Sequence, residues 1–265
     1  SHEAAHGTPF RTRWLNETML WISSVVYFEE PYHRRYAHTS HHTYTLHVDK
    51  DGQIASDLPL NFWGWVKENS GVPFYLYEVK LFLRNAAGQF SPLVSQYTPA
   101  GELTKLKWGA RGCIAVYLVL IGLIVAGYTW PLVFLIIPRL VGGPVMHLFV
   151  ILQHADLAEN SMSIIESTRS FRTNWLARFL YMNMNAHAEH HLYPQVPFYS
   201  LPALSEAAKD QLPEPDPGFW RTNIEYLSVV IRRSLRCNTK AWSIRQAPHM
   251  ITDGNYTKTV QANMR

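Results

Sequence analysis

Two cysteines, Cys113 and Cys237, are the only thiols in 265 residues, and no C-x-x-C pair occurs. That excludes a disulfide scaffold, a thiolate zinc module and an iron–sulfur cluster. Charge is scarce too, at 17% of residues, where soluble domains carry about 25%. Lysine and arginine exceed the acids by 4 and form no block of like charge, so no nucleic-acid partner is expected. The sequence has no G-x-G-x-x-G fingerprint, no haem-attachment motif and no repeat of solenoid length. It opens Ser1-His2-Glu3, without methionine or a signal-peptide pattern. A chemically rich motif at the first residue leads us to expect that the natural start is missing.

What is present is apolar and aromatic. Hydrophobic residues make up 47%, with 9 tryptophans and 14 tyrosines. This excludes disorder for the bulk of the chain and suits contact with a membrane interface. Residues 108–153 form one long apolar tract. Cys113–Gly127 carries no charge, and extension back past Arg111 to Trp108 brings it near the ~20 residues that cross hydrocarbon. Pro131–Gln153 has one charge, Arg139, and a Gly-Gly-Pro at 142–144. Tyr128 and Trp130 stand where an interfacial belt belongs, and Pro131 suits the first turn of a helix. We expect a transmembrane helical hairpin with both ends on one side. Lys105, Lys107 and Arg111 put that side, and His154 with it, in the cytoplasm. The alternative is two helices buried in a soluble core.

Trp14–Phe28, Leu60–Val66 and Phe74–Leu83 are amphipathic. They either lie in the headgroup plane or pack on the protein's own core. A helix is expected from about Tyr32, after Pro31 and the acids Glu29 and Glu30. Others are expected over Trp175–Leu192, stopped by Pro194, and over Trp220–Leu235. Residues 213–218 (PEPDPG) read as a rigid linker. One catalytic unit is expected over 1–236, followed by a tail over 237–265 whose low periodicity suits disorder.

Thirteen histidines carry the chemistry. His2 and His6 form H-x3-H. His38, His41 and His42 form H-x2-H-H, and His187, His190 and His191 repeat it. On a helix, positions i, i+3 and i+4 share one face, so each window aims its imidazoles at one place. Eight of the thirteen fall in three five-residue windows, where random placement puts fewer than one. Converging imidazoles repel if protonated and leave donors unpaired if buried. A cation resolves both problems, because neutral imidazole is a metal ligand. Eight nitrogens exceed the four of one zinc and fit two first-row metals sharing a cage. Ligand type alone does not choose among iron, zinc, copper and nickel.

This pattern resembles the membrane fatty acid desaturase and hydroxylase superfamily, with its three histidine boxes. Box order and type agree. So do the 32-residue step from His6 to His38 and the long gap to His187, which holds the apolar hairpin. The flanks His6-Gly7-Thr8-x-Phe10 and His191-Leu192-Tyr193-Pro194 agree too. The resemblance covers roughly residues 1–212. It implies an all-α integral membrane helical bundle with a transmembrane hairpin and a cytoplasmic helical cap that carries the boxes. It implies two iron ions (Fe2+/Fe3+) facing the cytoplasm, O2 as co-substrate, and His154 as a ninth metal ligand. Glu3, Glu189, Asn183 and Asn185 become candidates to orient imidazole N–H groups, with plain solvated side chains as the alternative. His147 would be a similar group or line a substrate channel. His33 and His47 read as ordinary polar residues, and His249 is unassigned. The superfamily has two further spanning segments before or around the first box, which this sequence lacks.

Two reactions lie within that resemblance. A desaturase removes two hydrogens from adjacent carbons; a hydroxylase places oxygen on one. The third-box flank and its His187-Ala188-Glu189-His190-His191 form favour desaturation of a long fatty acyl chain, with hydroxylation of an alkyl or acyl chain as the alternative. The sequence encodes no electron carrier. A separate donor of the ferredoxin, rubredoxin or cytochrome b5 type is therefore expected, docking on Arg34, Arg35, Lys105, Lys107, Arg169 and Arg172. His2–His6 also matches H-E-x-x-H, with Glu3 as the general base of a zinc hydrolase. That reading leaves six box histidines unexplained. A non-enzymatic metal carrier is a third reading.

Overall fold

The computed structural model describes residues 1–53 and 61–235. Among them the regular structure is helical throughout, apart from one isolated bridge between Phe171 and Asp216. Leu60, Cys237, His249 and the tail from Asn238 lie outside the described residues.

The first-box helix α1 (His2–His6) stops at Gly7, whose φ of 73° is the left-handed conformation that glycine adopts without strain. Asn16 clasps this turn, donating to the Gly7 and Phe10 carbonyls at 2.7 Å each. Next come α2 (Arg13–Tyr27) and α3 (Pro31–Thr43), which carries the second box. Pro31 opens α3, and the Glu30 side chain caps it by accepting from the His33 N–H. Helices α4 (Phe62–Asn69), α5 (Val72–Ala86) and α6 (Pro92–Tyr97) follow. The amphipathic segments of α2 and α5 pack one face on the protein's own core. Leu20 of α2 and Leu81 and Phe82 of α5 are buried, while Trp14 and Leu76 on the same two helices face outward.

Two long helices come next, α7 (Leu103–Val125) and α8 (Ile137–His154). With their flanking turns they run Ala100–Val125 and Leu132–His154, 26 and 23 residues, long and apolar enough to cross a membrane. In their most apolar windows only 17% and 11% of residues are buried. Val125 is 83% exposed and Phe134 70%. Among the described residues these side chains are not packed as two helices buried in a soluble core would be. Arg139, the one charge of α8, is satisfied locally. Its guanidinium sits 3.9 Å from the Tyr27 ring centre and 5.0 Å from that of Phe74, and its Nε donates to the Tyr27 carbonyl at 3.1 Å.

The remaining chain wraps the end of α8 with α9 (Ile164–Ser167), α10 (Trp175–Leu180), α11 (His187–Leu192), α12 (Leu201–Ala208) and α13 (Phe219–Leu235). Leu152, Phe171, Tyr181, Met184, Leu201 and Phe219 form their common core. The single helix expected over Trp175–Leu192 is two helices. Met182 and Asn183 take φ of 51° and 55°, and asparagine accepts this left-handed turn more readily than most residues. The PEPDPG segment is not a free linker either. Asp216 donates its N–H to Ser170 and accepts from Arg172, both at 2.9 Å.

Candidate metal centre

The three boxes and the end of α8 meet. His2, His6, His38, His42 and His190 each bring a nitrogen within 4.8 Å of the others. His41, His154, His187 and His191 form a second such group. Helix geometry explains the division. In each H-x2-H-H box the outer pair is spaced i, i+4 and turns to one group, while the histidine between them turns to the other. Thus α3 gives His38 and His42 to the five-membered group and His41 to the four-membered one. Helix α11 does the reverse, with His190 in the first and His187 and His191 in the second.

Second contacts of the rings decide which nitrogen faces inward. The Nδ1 of His41 lies 2.8 Å from Asp51 Oδ2, that of His38 2.7 Å from Gln53 Oε1, and that of His154 2.9 Å from the Ser167 carbonyl. These partners only accept, so Nδ1 carries the proton and Nε2 keeps a bare lone pair. Thr45 donates to the His41 carbonyl at 2.7 Å, which leaves its oxygen to accept from His191 Nδ1 at 3.1 Å. The inward Nε2 atoms then crowd together: His38 to His6 at 2.8 Å, His154 to His187 at 2.9 Å and His41 to His154 at 3.2 Å. His41 and His154 aim lone pair at lone pair, which repels unless a cation lies between them. The Nε2 atoms of His2 and His191 and both ring nitrogens of His190 are buried without a hydrogen-bond partner, an arrangement proteins otherwise avoid. The donor set fits metal ions.

Protonation agrees. Burial first, and neighbouring positive charge second, push His2, His38, His187, His190 and His191 well below the ordinary histidine value, and His6 to about 4. These rings are neutral at pH 7, the form that ligates. Burial alone would raise the Asp51 carboxyl, but the His41 ring and hydrogen bonds from His41, Gln53 and Leu46 outweigh it and hold it below its usual value.

Asp51, Gln53, Thr45 and Ser167 escape sequence reasoning. Two of them sit in one tight loop around Gly52. A Cβ built there would lie 2.8 Å from the Ala37 Cα, so only glycine lets the loop press Asp51 and Gln53 against α3. The one available signal was chemical: each ligating imidazole needs an acceptor for its second nitrogen.

The carboxylates and amides chosen from the sequence act differently from one another. Glu3 Oε1 lies 3.2 Å from His2 Nδ1, while its other oxygen accepts from Thr8 Oγ1 and the Phe198 N–H, both at 3.0 Å. It is thus held in place, unlike the general base of an H-E-x-x-H hydrolase, which must be free to activate water. Glu189 meets hydroxyls and no imidazole. It accepts from Ser205 at 2.6 Å and from Ser170, whose oxygen in turn accepts from the Ala188 N–H at 3.1 Å. Asn183 and Asn185 donate to the Phe198 and Phe171 carbonyls at 3.0 Å each. These three residues brace backbone around the third box. His147 stands outside both groups, and His47 bonds the Thr45 carbonyl at 3.2 Å.

The expected basic face is largely spent on internal pairs. Arg34 is nearly buried against Glu29, and Arg169 pairs with Asp216 at 3.3 Å. Arg35, Lys105 and Arg172 each pair with a glutamate at 2.8 Å. A different opening, of about 390 Å³, lies against one edge of the five-histidine group. It is lined by His6 and flanked by Arg11, Arg13 and Arg35.

Comparison with known proteins places this arrangement in a family. The profile of the fatty acid desaturase family matches residues 1–223, and the chain belongs to that family. The chain is 28% identical over 235 residues to the dihydrorhizobitoxine desaturase of Bradyrhizobium elkanii, covering 83% of this chain and 64% of that one. It is 23% identical over 237 residues to the sn-1 acyl-lipid omega-3 desaturase (ferredoxin) of Synechocystis, covering 80% and 63%. The chain thus spans under two thirds of the length of these curated relatives. No solved structure matches it.

Proposed function

Starting from membership of the fatty acid desaturase family, we propose that the two histidine groups hold two iron ions. The protein is then a membrane oxidoreductase that introduces a double bond into a long fatty acyl chain, with O2 as co-substrate. The observation that supports this most strongly is the division of nine imidazoles into neighbouring groups of five and four. When bound, the two irons would supply the oxidising power that turns dioxygen against an unactivated C–H bond.

The protein's own part is placement. Asp51, Gln53, Thr45 and Ser167 hold four rings with Nε2 inward. All four histidines of the smaller group are buried, which keeps water from that side. Helices α7 and α8 cross the bilayer, and the basic residues Lys105, Lys107 and Arg111 keep both ends on the cytoplasmic side. His154, at the end of α8, then sets the centre at the lipid boundary, where an acyl chain can reach it.

The redox balance requires a partner. Dioxygen takes four electrons to become two waters. Two come with the hydrogens of the substrate and two from a separate donor of the ferredoxin, rubredoxin or cytochrome b5 type. The Synechocystis relative is named for ferredoxin. An acidic carrier suits the arginines around the opening at His6.

The test is product analysis by mass spectrometry in a host fed labelled fatty acids. Loss of the mass of two hydrogens is expected. Gain of one oxygen would make the protein a hydroxylase, and no modified lipid would contradict the proposal.

A further inference from the structure

A second buried polar cluster lies between α3, α5, α6 and α7, away from the histidine groups. Glu30 is 0% exposed, Asn85 1% and Glu78 3%. Glu30 Oε1, Glu78 Oε2, His33 Nε2, the Tyr97 hydroxyl and both polar atoms of the Asn85 side chain have no hydrogen-bond partner. Glu30 uses its other oxygen to cap His33. Its free oxygen rests on the backbone of Gly109, where a built Cβ would come within 2.0 Å. The His33 ring meets Tyr97 edge-on at 5.9 Å. Native proteins leave very few buried polar atoms unsatisfied, and where no protein group serves, ordered water does.

Few groups on the packed elements could neutralise these acids. Glu29, just ahead of α3, and Arg34 of α3 face them, with Tyr77 of α5, Tyr97 of α6, and Cys113 and Tyr117 of α7. Arg34, the cation that faces them among the described residues, is already paired with Glu29 at 3.5 Å. Burial pushes the Glu30 carboxyl up to about 8. Burial, then the charges of Glu29 and Glu30, push Glu78 up as well. Glu30 therefore holds its proton at neutral pH.

Helix α3 joins this cluster to the centre. Glu30, Arg34 and His38 are spaced i, i+4, i+8, on one face and ~12 Å from end to end. Arg34 holds Glu29, which accepts from the Ser1 hydroxyl at 3.3 Å, next to His2.

We infer that this cluster binds ordered water and is the proton store of the metal centre, with Glu30 and Glu78 releasing protons toward Glu29 and Ser1, beside His2. The inference rests on the desaturase reading. Reduction of one O2 to two waters consumes four electrons and four protons. The substrate gives two of each as two C–H bonds become one C=C bond. The donor gives two electrons, and the last two protons come through the protein. Solvent then reprotonates the cluster.

Infrared difference spectra in H2O and D2O read neutral carboxyls without any iron. An exchangeable carboxylic C=O band is expected at pH 7, its Glu30 part fading as pH rises through about 8 and lost from Glu30→Gln, which keeps only the remainder. In iron-loaded protein, Glu30→Gln and Glu78→Gln keep their iron. They release more hydrogen peroxide per O2, show a larger solvent isotope effect and turn over at least about 10-fold more slowly. Glu30→Asp recovers part of the loss. A wild-type spectrum with no such band overturns the inference, even where the variants do not fold. So does Glu30→Gln with full iron and unchanged peroxide release and isotope effect. Wild-type protein that shows the band but binds no iron would instead overturn the desaturase reading, and with it the destination of the protons.

Discussion

Asp51 holds the Nδ1 of His41 at 2.8 Å and turns the opposite nitrogen of that ring toward His154. Its carboxylate accepts two further hydrogen bonds, from the N–H groups of Leu46 and Gln53 at 2.9 Å each. Carboxylate partners of this kind fix a ligand's tautomer and raise its basicity, and losing one typically costs 10- to 100-fold in metal affinity. Asp51→Asn should therefore weaken binding at the four-histidine group by roughly that factor. Competitive metal titration would show it. Unchanged affinity would remove Asp51 from the account.

Gly52→Ala should do damage out of proportion to one methyl group. The new Cβ would meet backbone of α3 at 2.8 Å, and backbone cannot rotate away. The loop must lift, taking Asp51 from His41 and Gln53 from His38. Metal affinity should fall at both groups, and stability by about 1–3 kcal/mol. Metal titration and thermal melts in detergent test the two effects separately.

His154 and His147 lie two turns apart on α8, yet only His154 belongs to a group. His154→Ala should lower bound metal and abolish turnover. His147→Ala should leave bound metal unchanged. Equal loss in both variants would mean that α8 is merely destabilised by either substitution.

Acid should unfold the metal-free protein early. Burial and nearby positive charge hold His6 at about 4 in the folded state, against 6.5 for the free side chain. Between these values the unfolded chain binds the extra proton. Stability present above pH 6.5 is therefore lost as pH falls toward 4. The other depressed histidines add in the same direction. Melting temperature followed by circular dichroism should drop from pH 7.5 to pH 5, and a flat profile would contradict the protonation assigned to the site.

Electron entry should depend on Arg11 and Arg13. Reversing both charges to glutamate should slow reduction by an acidic carrier and flatten its dependence on salt. The same change at Arg169, which is paired internally with Asp216, should act through stability instead. Stopped-flow reduction at several ionic strengths distinguishes the two.

The parts of this fold written in short-range pattern were legible in the sequence. Long apolar runs marked α7 and α8, and helical spacing marked the eight box histidines. The parts set by distant loops were not. Asp51 reaches His41 only because Gly52 lets a turn lie flat on Ala37, and no periodicity signals that. The break between α10 and α11 depends on left-handed turns at Met182 and Asn183 inside an otherwise helical pattern. Arg34 and Arg169 read as surface cations because their partners, Glu29 and Asp216, are chosen by tertiary packing. The buried polar cluster around Glu30 was hidden for the same reason, since Glu78 and Tyr97 join it from two other helices.

The central claim is a pair of irons held by nine imidazoles. Quantitative metal analysis of the purified protein, with His190→Ala and His191→Ala beside it, tests that claim most directly. The account predicts two irons per chain in the wild type and a clear loss in each variant, one from the five-histidine group and one from the four. A single zinc per chain, or iron content indifferent to both substitutions, would contradict it.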